Sequence, residues 1–319
     1  MSKTILVVVA LAAWTGAGCS TGGDGSIAAA DEAAQRNAEA IQSFPFRSAP
    51  PVDISGMVLI EGGEFMMGTD EGFPFEGPSH RVFLDPFYMD EHEVTNGQYA
   101  MFAEFTGHVT ESERLGWSGV FDPSRNGWTK GDGADWRRPH GPGSTHLEMK
   151  DYPVVHLSWL DAAAYCDWRG ARLPTEAEFE YAARGGIEGA AYAWGDELAP
   201  GGVHQANLWQ GTFPEVDRTL DGYGSHAPVK KFPPNRYGLY DMTGNVWEWV
   251  YDWYHPAYFA NSPVKNPRGP QGGEQKVQRG GSWLCSENYC QGYRVAARML
   301  TAPDSGLNNL GFRCAANAE

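Results

Sequence analysis

The sequence predicts one α+β domain with little regular secondary structure, preceded by a short export segment. Three observations lead to this fold class. The 319 residues include 40 Gly and 21 Pro, which divide a chain into short elements joined by many loops. Helix start signals stand at three places and are separated by short apolar runs. The 12 Trp are typical of a loop-rich fold held by large aromatic anchors.

The N-terminus resembles a targeting segment. Lys3 precedes an apolar run over residues 4–14, which is too short for a stable membrane anchor and typical of a signal peptide. Residues 16–19 read GAGC and resemble a bacterial lipoprotein cleavage box, in which the Cys is lipidated. We predict a signal peptide over 1–19, export to the periplasm or cell surface, and a lipid anchor at Cys19. An ordinary secretory signal with an incidental Cys19 is the alternative.

Composition then separates a tether from a folded domain. Residues 20–54 are small, polar and alanine-rich, and residues 48–51 read SAPP. This stretch predicts a flexible tether, because it offers too little apolar surface to build a core. The folded domain is predicted over residues 55–319, a length that suffices for one large core.

Local signals place the first elements of that domain. Residues 57–63 read MVLIEGG, which predicts a strand followed by a turn. Thr95 and Thr175 open capping boxes, and Ser158 stands at a third helix N-cap. We expect the second and third helices to stop at Gly170 and Gly185.

Charge and histidine spacing argue against two classes of function. The formal net charge is −16, and an acidic surface repels phosphate backbones, so nucleic acid is not expected as a partner. The histidines from His80 to His156 show no HxxxH or HExxH spacing, so no zinc-hydrolase motif is predicted.

The five cysteines raise the main chemical question. With Cys19 in the signal peptide, four remain, and an oxidising compartment favours two disulfides in one of three pairings. Four residues separate Cys285 from Cys290, a spacing that brings two side chains together only in a turn. Such a pair can be a structural disulfide, a redox-active dithiol or a soft-metal site. Spacing alone leaves all three open and slightly favours the structural disulfide.

Longer motifs around these cysteines resemble a known family. Residues 279–285 read RGGSWLC, 289–290 read YC, 293–298 read YRVAAR and 311–314 read GFRC. Upstream, 153–159 read PVVHLSW, 172–178 read RLPTEAE, 206–211 read ANLWQG and 244–249 read GNVWEW. Over residues 55–317 the chain resembles the formylglycine-generating enzymes, the sulfatase-modifying factor family. Many of these blocks occur in catalytic and non-catalytic relatives alike, so Cys285 and Cys290 are the discriminating pair.

The resemblance implies a variant of the C-type lectin-like fold and an oxidase activity. A cysteine in a Cys-x-Pro-x-Arg-type motif of a sulfatase polypeptide would be converted to Cα-formylglycine, with O₂ and a thiol reductant. On this reading Cys285 and Cys290 hold Cu(I), and Cys290 can also exchange with the substrate sulfur. Ser282, Trp247 and Tyr289 match pocket residues of the family.

The resemblance also implies structural sites. Cys166 and Cys314 match a family disulfide. A second disulfide of some relatives has no counterpart, because Ala183 and Val295 stand at its positions. That difference supports leaving Cys285 for chemistry rather than for a structural link.

Structural Ca²⁺ is the other implied cofactor, since mixed carboxylate, amide and backbone oxygens suit a hard cation. The matching positions form two sets with one further candidate ligand: Asn207, Leu208, Asp221 and Tyr223; Asp241, Gly244, Val246 and Glu248; and Glu93.

Two positions depart from the family pattern. Ser286 follows Cys285 where His is common, and Gly292 precedes Tyr293 where Arg is usual. An Arg lost so near the site leaves the identity of the substrate open.

The predicted function is therefore a copper-dependent formylglycine-generating oxidase, monomeric, acting on an exported polypeptide and touching a membrane only through its lipid anchor. One alternative is a non-catalytic lectin-like lipoprotein that binds a protein or glycan, in which Cys285 and Cys290 form a stable disulfide. The other is a related oxidase with a different substrate. Export also allows a catalytic pair to rest as a disulfide.

Overall fold

The computed structural model describes residues 52–318. The predicted signal peptide, the lipidation position Cys19 and all but the last three residues of the predicted tether lie outside this range. Within it, none of the helices combines the length and hydropathy that a membrane crossing requires.

The strands of the described range are short. Their bounds are β1 (Met57–Ile60), β2 (Gly63–Met67), β3 (His80–Leu84), β4 (Phe87–Asp90), β5 (Trp117–Asp122), β6 (Gly127–Asp132), β7 (Trp247–Trp253), β8 (Lys276–Arg279), β9 (Arg298–Thr301), β10 (Leu310–Phe312) and β11 (Ala315–Asn317). β1 confirms the predicted first strand, and the turn after it contains Gly62 and Gly63, both with positive φ.

The helices have at most 11 residues. They are α1 (Asn96–Thr106), α2 (Glu111–Leu115), α3 (Trp159–Trp168), α4 (Glu176–Arg184) and α5 (Tyr258–Asn261). Single 3₁₀ turns occur at Pro74–Glu76, Pro123–Arg125, His146–Glu148 and Pro200–Gly202.

Capping explains where the main helices begin. The side chains of Thr95, Ser158 and Thr175 each accept a backbone N–H from the third helical residue, which confirms the three predicted starts. α4 ends at Arg184 with the left-handed Gly185 as its C-cap, which confirms the predicted stop. α3 ends at Trp168 with Arg169 as its C-cap, and the predicted stop Gly170 follows directly in the left-handed conformation.

The sheets join distant parts of the chain. β1, β4 and β11 form an antiparallel sheet in the order β1-β4-β11, so the C-terminal strand pairs beside an N-terminal one. The second sheet has the order β10-β7-β8-β9, with β10 parallel to β7 and the other pairs antiparallel. β2 with β3 and β5 with β6 form two antiparallel hairpins.

Aromatic and aliphatic side chains fill the space between these sheets and the helices. Trp249 on β7 is fully buried, and its indole N–H donates to the Leu157 carbonyl at 3.0 Å. Phe87, Phe179 and Val277 belong to one buried cluster contributed by strands and by α4. The fold is thus α+β with much irregular structure, which confirms the predicted class.

Candidate active site

The irregular segment between β8 and β9, residues 280–297, carries the candidate site, and we call it the site segment. Arg279, the last residue of β8, is fully buried and pairs with Glu180 at 2.5 Å and Glu176 at 3.3 Å on α4. The same guanidinium donates to the carbonyls of Val295 at 2.9 Å and Ala296 at 3.2 Å. One buried cation therefore holds both ends of the site segment against α4.

Cys285 and Cys290 lie in this segment and are joined by a disulfide, with their Cα atoms 5.1 Å apart. The turn forms because the Cys285 N–H donates to the Ser282 carbonyl at 2.8 Å and the Tyr289 N–H donates to the Ser286 carbonyl at 3.2 Å. Cys285 is fully buried, while Cys290 is partly exposed. The pair expected to be free for chemistry is thus in its oxidised form, the resting state that export allows.

Polar groups surround the buried sulfur. The Ser282 N–H points at Cys285 Sγ from 3.4 Å, and the Ser282 hydroxyl oxygen accepts the side-chain N–H of Asn309 at 2.9 Å. Because this contact uses the oxygen as acceptor, the hydroxyl proton is available to donate.

Asn309 was missed from the sequence, although it directly precedes the LGFRC block. It is 3% exposed, and its side-chain oxygen has no hydrogen-bond partner among the described residues. Its backbone carbonyl accepts the Trp247 N–H at 2.8 Å, which ties it to β7.

Trp247 reaches the pair from β7. A Cβ placed on Gly292 would lie 2.3 Å from Trp247 Cζ2 and 3.1 Å from Cys285 Sγ, so the indole and the sulfur are both neighbours of this glycine. Trp247 is 4% exposed and therefore forms a buried wall beside the pair. The predicted pocket residues Ser282 and Trp247 are thus brought to Cys285.

Tyr289 stands at the rim instead. It is 47% exposed, and its ring stacks on Phe213 with centroids 3.9 Å apart. The Asn288 side chain fixes this arrangement by accepting the Phe213 N–H at 3.2 Å and donating to its carbonyl at 3.1 Å. Phe213 was also missed, and no local signal marks it. The buried aromatic and aliphatic cluster beneath the rim comprises Phe121, Trp209, Phe213, Trp283 and Leu284.

Comparison with known proteins identifies the family. The sulfatase-modifying factor enzyme 1-like domain matches residues 44–318. The chain belongs to the sulfatase-modifying factor family. It is 50% identical to a Streptomyces coelicolor protein named formylglycine-generating enzyme, over 86% of this chain and 93% of that one.

One further curated relative and one solved structure are also similar to the chain. A Mus musculus protein named inactive C-alpha-formylglycine-generating enzyme 2 is 43% identical, over 82% of this chain and 86% of that one. The solved structure of PvdO from Pseudomonas aeruginosa is 27% identical and has a TM-score of 0.62, covering 82% of this chain and 94% of that one. Proteins named as active and as inactive are thus both similar to this chain.

The two departures from the sulfatase-modifying factor pattern have different structural roles. Ser286 is buried, and its hydroxyl donates to the Asn288 side-chain oxygen at 2.9 Å, so it supports the turn. Gly292 is buried against Trp247 and Cys285, in the position just described.

The disulfide that the family resemblance implies is present. Cys166 on α3 and Cys314 before β11 are bonded, with their Cα atoms 5.6 Å apart, and both are fully buried. The bond links α3 to the C-terminal end of the chain.

The first calcium set is assembled around Asp221. Its carboxylate accepts the backbone N–H groups of Leu208 at 2.9 Å and Tyr223 at 3.0 Å. Asn207 is buried, its amide donates to the Ser225 carbonyl at 2.8 Å, and its Oδ1 has no partner among the described residues. The unpartnered Asn207 oxygen fits a hard cation, which Asn207, Asp221 and adjacent carbonyls would hold.

The second set lies next to it, because the Asn245 N–H donates to the Asn207 carbonyl at 3.0 Å. Glu248 on β7 makes a bidentate ion pair with Arg313, at 2.7 Å to both carboxylate oxygens. Asp241 accepts the Lys230 N–H at 2.8 Å.

Glu93 completes the acidic group by accepting the Val246 N–H at 3.2 Å and the Asn245 amide. Burial raises the pKa of Glu93 well above its ordinary value, and the charges of Asp241 and Glu248 add to the effect. The Arg313 cation lies near all three buried carboxylates, and among the described residues no three His, Cys, Asp or Glu side chains converge closely enough to hold a metal ion. Gly244 lies at the same place, since a Cβ added to it would lie 2.5 Å from the Asn207 carbonyl oxygen.

Proposed function

We propose that this protein oxidises a cysteine of a sulfatase-type polypeptide to Cα-formylglycine. The observation that carries the proposal is the environment of Cys285 and Cys290. One sulfur is buried beside a directed N–H and a hydroxyl with an available proton, and the other is partly exposed to an incoming thiol. A structural disulfide needs neither the polar pocket nor the exposed sulfur.

The proposed reaction balances with O₂ and a thiol reductant. The substrate CH₂–SH group, one O₂ and two reducing thiols give an aldehyde, hydrogen sulfide, water and the disulfide of the reductant. The reductant has a second task, which is to open the Cys285–Cys290 disulfide before turnover.

Cu(I) is the proposed cofactor. Two cysteine sulfurs on residues with Cα atoms 5.1 Å apart form the soft donor set that this ion prefers. When bound, Cu(I) would supply a soft centre for the substrate thiolate and for O₂ chemistry. The protein's own side chains would orient the substrate, donate a proton and exclude water.

Those groups have distinct proposed tasks. Cys290 meets the substrate sulfur because it is the exposed member of the pair. Ser282 orients the buried Cys285 and can donate a proton, while Trp247 excludes water from that side. The Tyr289–Phe213 stack offers an apolar platform for the substrate chain beside Cys290.

The remaining expectations follow the same proposal. The substrate would carry a Cys-x-Pro-x-Arg-type motif, and the protein would act as an exported monomer, anchored through a lipid on Cys19. Ca²⁺ at the two oxygen sets would tie loops together without taking part in the chemistry.

The test uses the reduced protein with Cu(I), O₂, a thiol reductant and a peptide with a Cys-x-Pro-x-Arg motif. We expect a peptide aldehyde, detected by mass spectrometry and by reaction with an aminooxy probe. The same peptide with Ser in place of Cys should give none. Cys285→Ser and Cys290→Ser should abolish product, and Ser282→Ala should slow it while Cu(I) binding persists. Ser124→Ala, which removes an exposed hydroxyl outside the site segment, is the matched control.

The non-catalytic alternative is favoured by one observation, the Cys285–Cys290 disulfide itself. It predicts that Cu(I)-treated protein yields no aldehyde and that Cys285→Ser leaves partner binding intact. That pair of results would replace the oxidase with a lectin-like binding module.

A further inference from the structure

We propose that Gly292 is a positioning residue for the cysteine pair. Its missing side chain lets the Trp247 indole pack against the segment after Cys290, and Gly281 lets the backbone before Cys285 approach the same segment. This packing holds the two thiols together once the disulfide is opened. The inference rests on the proposed function, since it concerns the reduced pair.

The first contact that carries it is with Trp247. A Cβ on Gly292 would lie 2.3 Å from Cζ2 and 2.4 Å from Cη2 of the indole, and 3.1 Å from Cys285 Sγ. Non-bonded carbon atoms normally rest about 3.5–4.0 Å apart, so even a methyl group cannot enter without moving the ring or the backbone. Trp247 lies on β7, where its backbone N–H donates to the Asn309 carbonyl at 2.8 Å, and its side chain is 4% exposed, so the indole has little free space into which to move.

The second contact is with Gly281. A Cβ there would lie 2.6 Å from the Gly292 carbonyl carbon and 2.7 Å from the Tyr293 nitrogen. Gly281 also has a φ of +79°, a conformation that favours glycine. Two glycines therefore bring the backbone before Cys285 against the backbone after Cys290, and the closed loop between them contains both cysteines.

This closure matters only after reduction. While the disulfide exists, a covalent bond fixes the separation of the two sulfurs. Once it is opened, the non-covalent packing of the loop decides how often the thiols meet, and so sets their effective concentration toward each other and toward a shared ion. A side chain at Gly292 would push the loop off Trp247 and widen that distribution.

The test is the thiol–disulfide equilibrium of the metal-free protein. Reduced dithiothreitol gives two electrons and two protons to the Cys285–Cys290 disulfide and becomes its own cyclic disulfide. Comparing Gly292→Ala with the wild type gives the change in effective concentration. We expect a fall of about tenfold or more, by analogy with overpacked cores, and a matching loss of Cu(I) affinity in a chelator competition.

Gly272→Ala is the matched control. Gly272 is exposed, and an added Cβ would meet nothing within 4 Å. It should leave both equilibria at the wild-type value.

A compensating variant keeps the test informative if Gly292→Ala folds poorly. Trp247→Phe removes the Cζ2 and Cη2 atoms that the new methyl group would meet. Adding Gly292→Ala to Trp247→Phe should therefore shift the equilibrium far less than it does in the wild type.

Two results would overturn the inference. One is a wild-type thiol–disulfide equilibrium in Gly292→Ala. The other is a lowered melting temperature with no change in that equilibrium, which would mark a purely structural glycine. If instead the wild type neither binds Cu(I) nor makes aldehyde, the proposed function fails. The thiol–disulfide equilibrium of the metal-free protein still tests whether Gly292 positions the two cysteines.

Discussion

Acid sensitivity of His226 gives a quantitative prediction. The side chain is 2% exposed, and both ring nitrogens lack hydrogen-bond partners among the described residues. Burial, with smaller contributions from the nearby His140 and His156, lowers the pKa of His226 to about 3. The folded protein therefore keeps this imidazole neutral.

The sign and size follow from linkage. An unfolded histidine titrates with a pKa near 6.5. Above that pH the imidazole is neutral in both the folded and the unfolded chain, so it does not affect the free energy of unfolding. As the pH falls from there toward 3, only the unfolded chain binds the proton, and the free energy of unfolding falls. At about pH 5 the loss is about 2 kcal/mol, a large share of a typical total of about 5–15 kcal/mol. His226→Phe removes the titration and gives up no protein hydrogen bond, so at about pH 5 it should exceed the wild type by about 2 kcal/mol more than at neutral pH.

Urea unfolding followed by tryptophan fluorescence measures this difference at about pH 7.5 and about pH 5. His255→Phe, on an exposed turn, controls for the substitution itself. An equal His226→Phe effect at both pH values would show that the buried ring does not titrate as described.

Three further predictions concern stability. Replacing both Cys166 and Cys314 by Ala should lower the free energy of unfolding by about 2–5 kcal/mol in denaturant titrations, because the bond closes a long loop. Arg313→Met leaves the Glu248 carboxylate buried without its cation and should destabilise by about 3–5 kcal/mol in the same assay, whereas a loss below about 1 kcal/mol would show that solvent reaches the pair. Adding Ca²⁺ to chelator-treated protein should raise the melting temperature, and Asn207→Ala should reduce that rise; an identical rise in both proteins would remove Asn207 as a ligand.

Local signals predicted the elements that local physics decides. The helix starts at Thr95, Ser158 and Thr175 follow from side chains that bond their own first turn. α2 shows that the same rule was underused, because Thr110 and Glu113 form an equivalent capping box that we had not predicted.

The residues of the candidate site could be predicted only where they lie within a recognisable sequence motif. Ser282 and Trp247 were expected beside Cys285, and the structure places them there. Asn309 and Phe213 were not expected, because their roles depend on contacts with residues far away in the sequence. The buried contacts of Arg279 could not be predicted for the same reason, since the motif shows a basic residue but not the distant residues with which it pairs.

The two disulfides differ in how much they stabilise the fold by restricting the unfolded chain. Cys166 and Cys314 are 148 residues apart, and the chain-entropy relation gives about 5 kcal/mol for closing such a loop. Cys285 and Cys290 are 5 residues apart, and the same relation gives about 2 kcal/mol. The short loop is also held without its bond, by the Arg279 contacts at both ends of the site segment and by the two glycine contacts. A thiol reductant can reach the partly exposed Cys290, whereas Cys166 and Cys314 are fully buried. The pair can therefore be opened and closed while the long-range disulfide keeps the domain folded, and a catalytic thiol pair that must be reduced before turnover needs that separation of tasks.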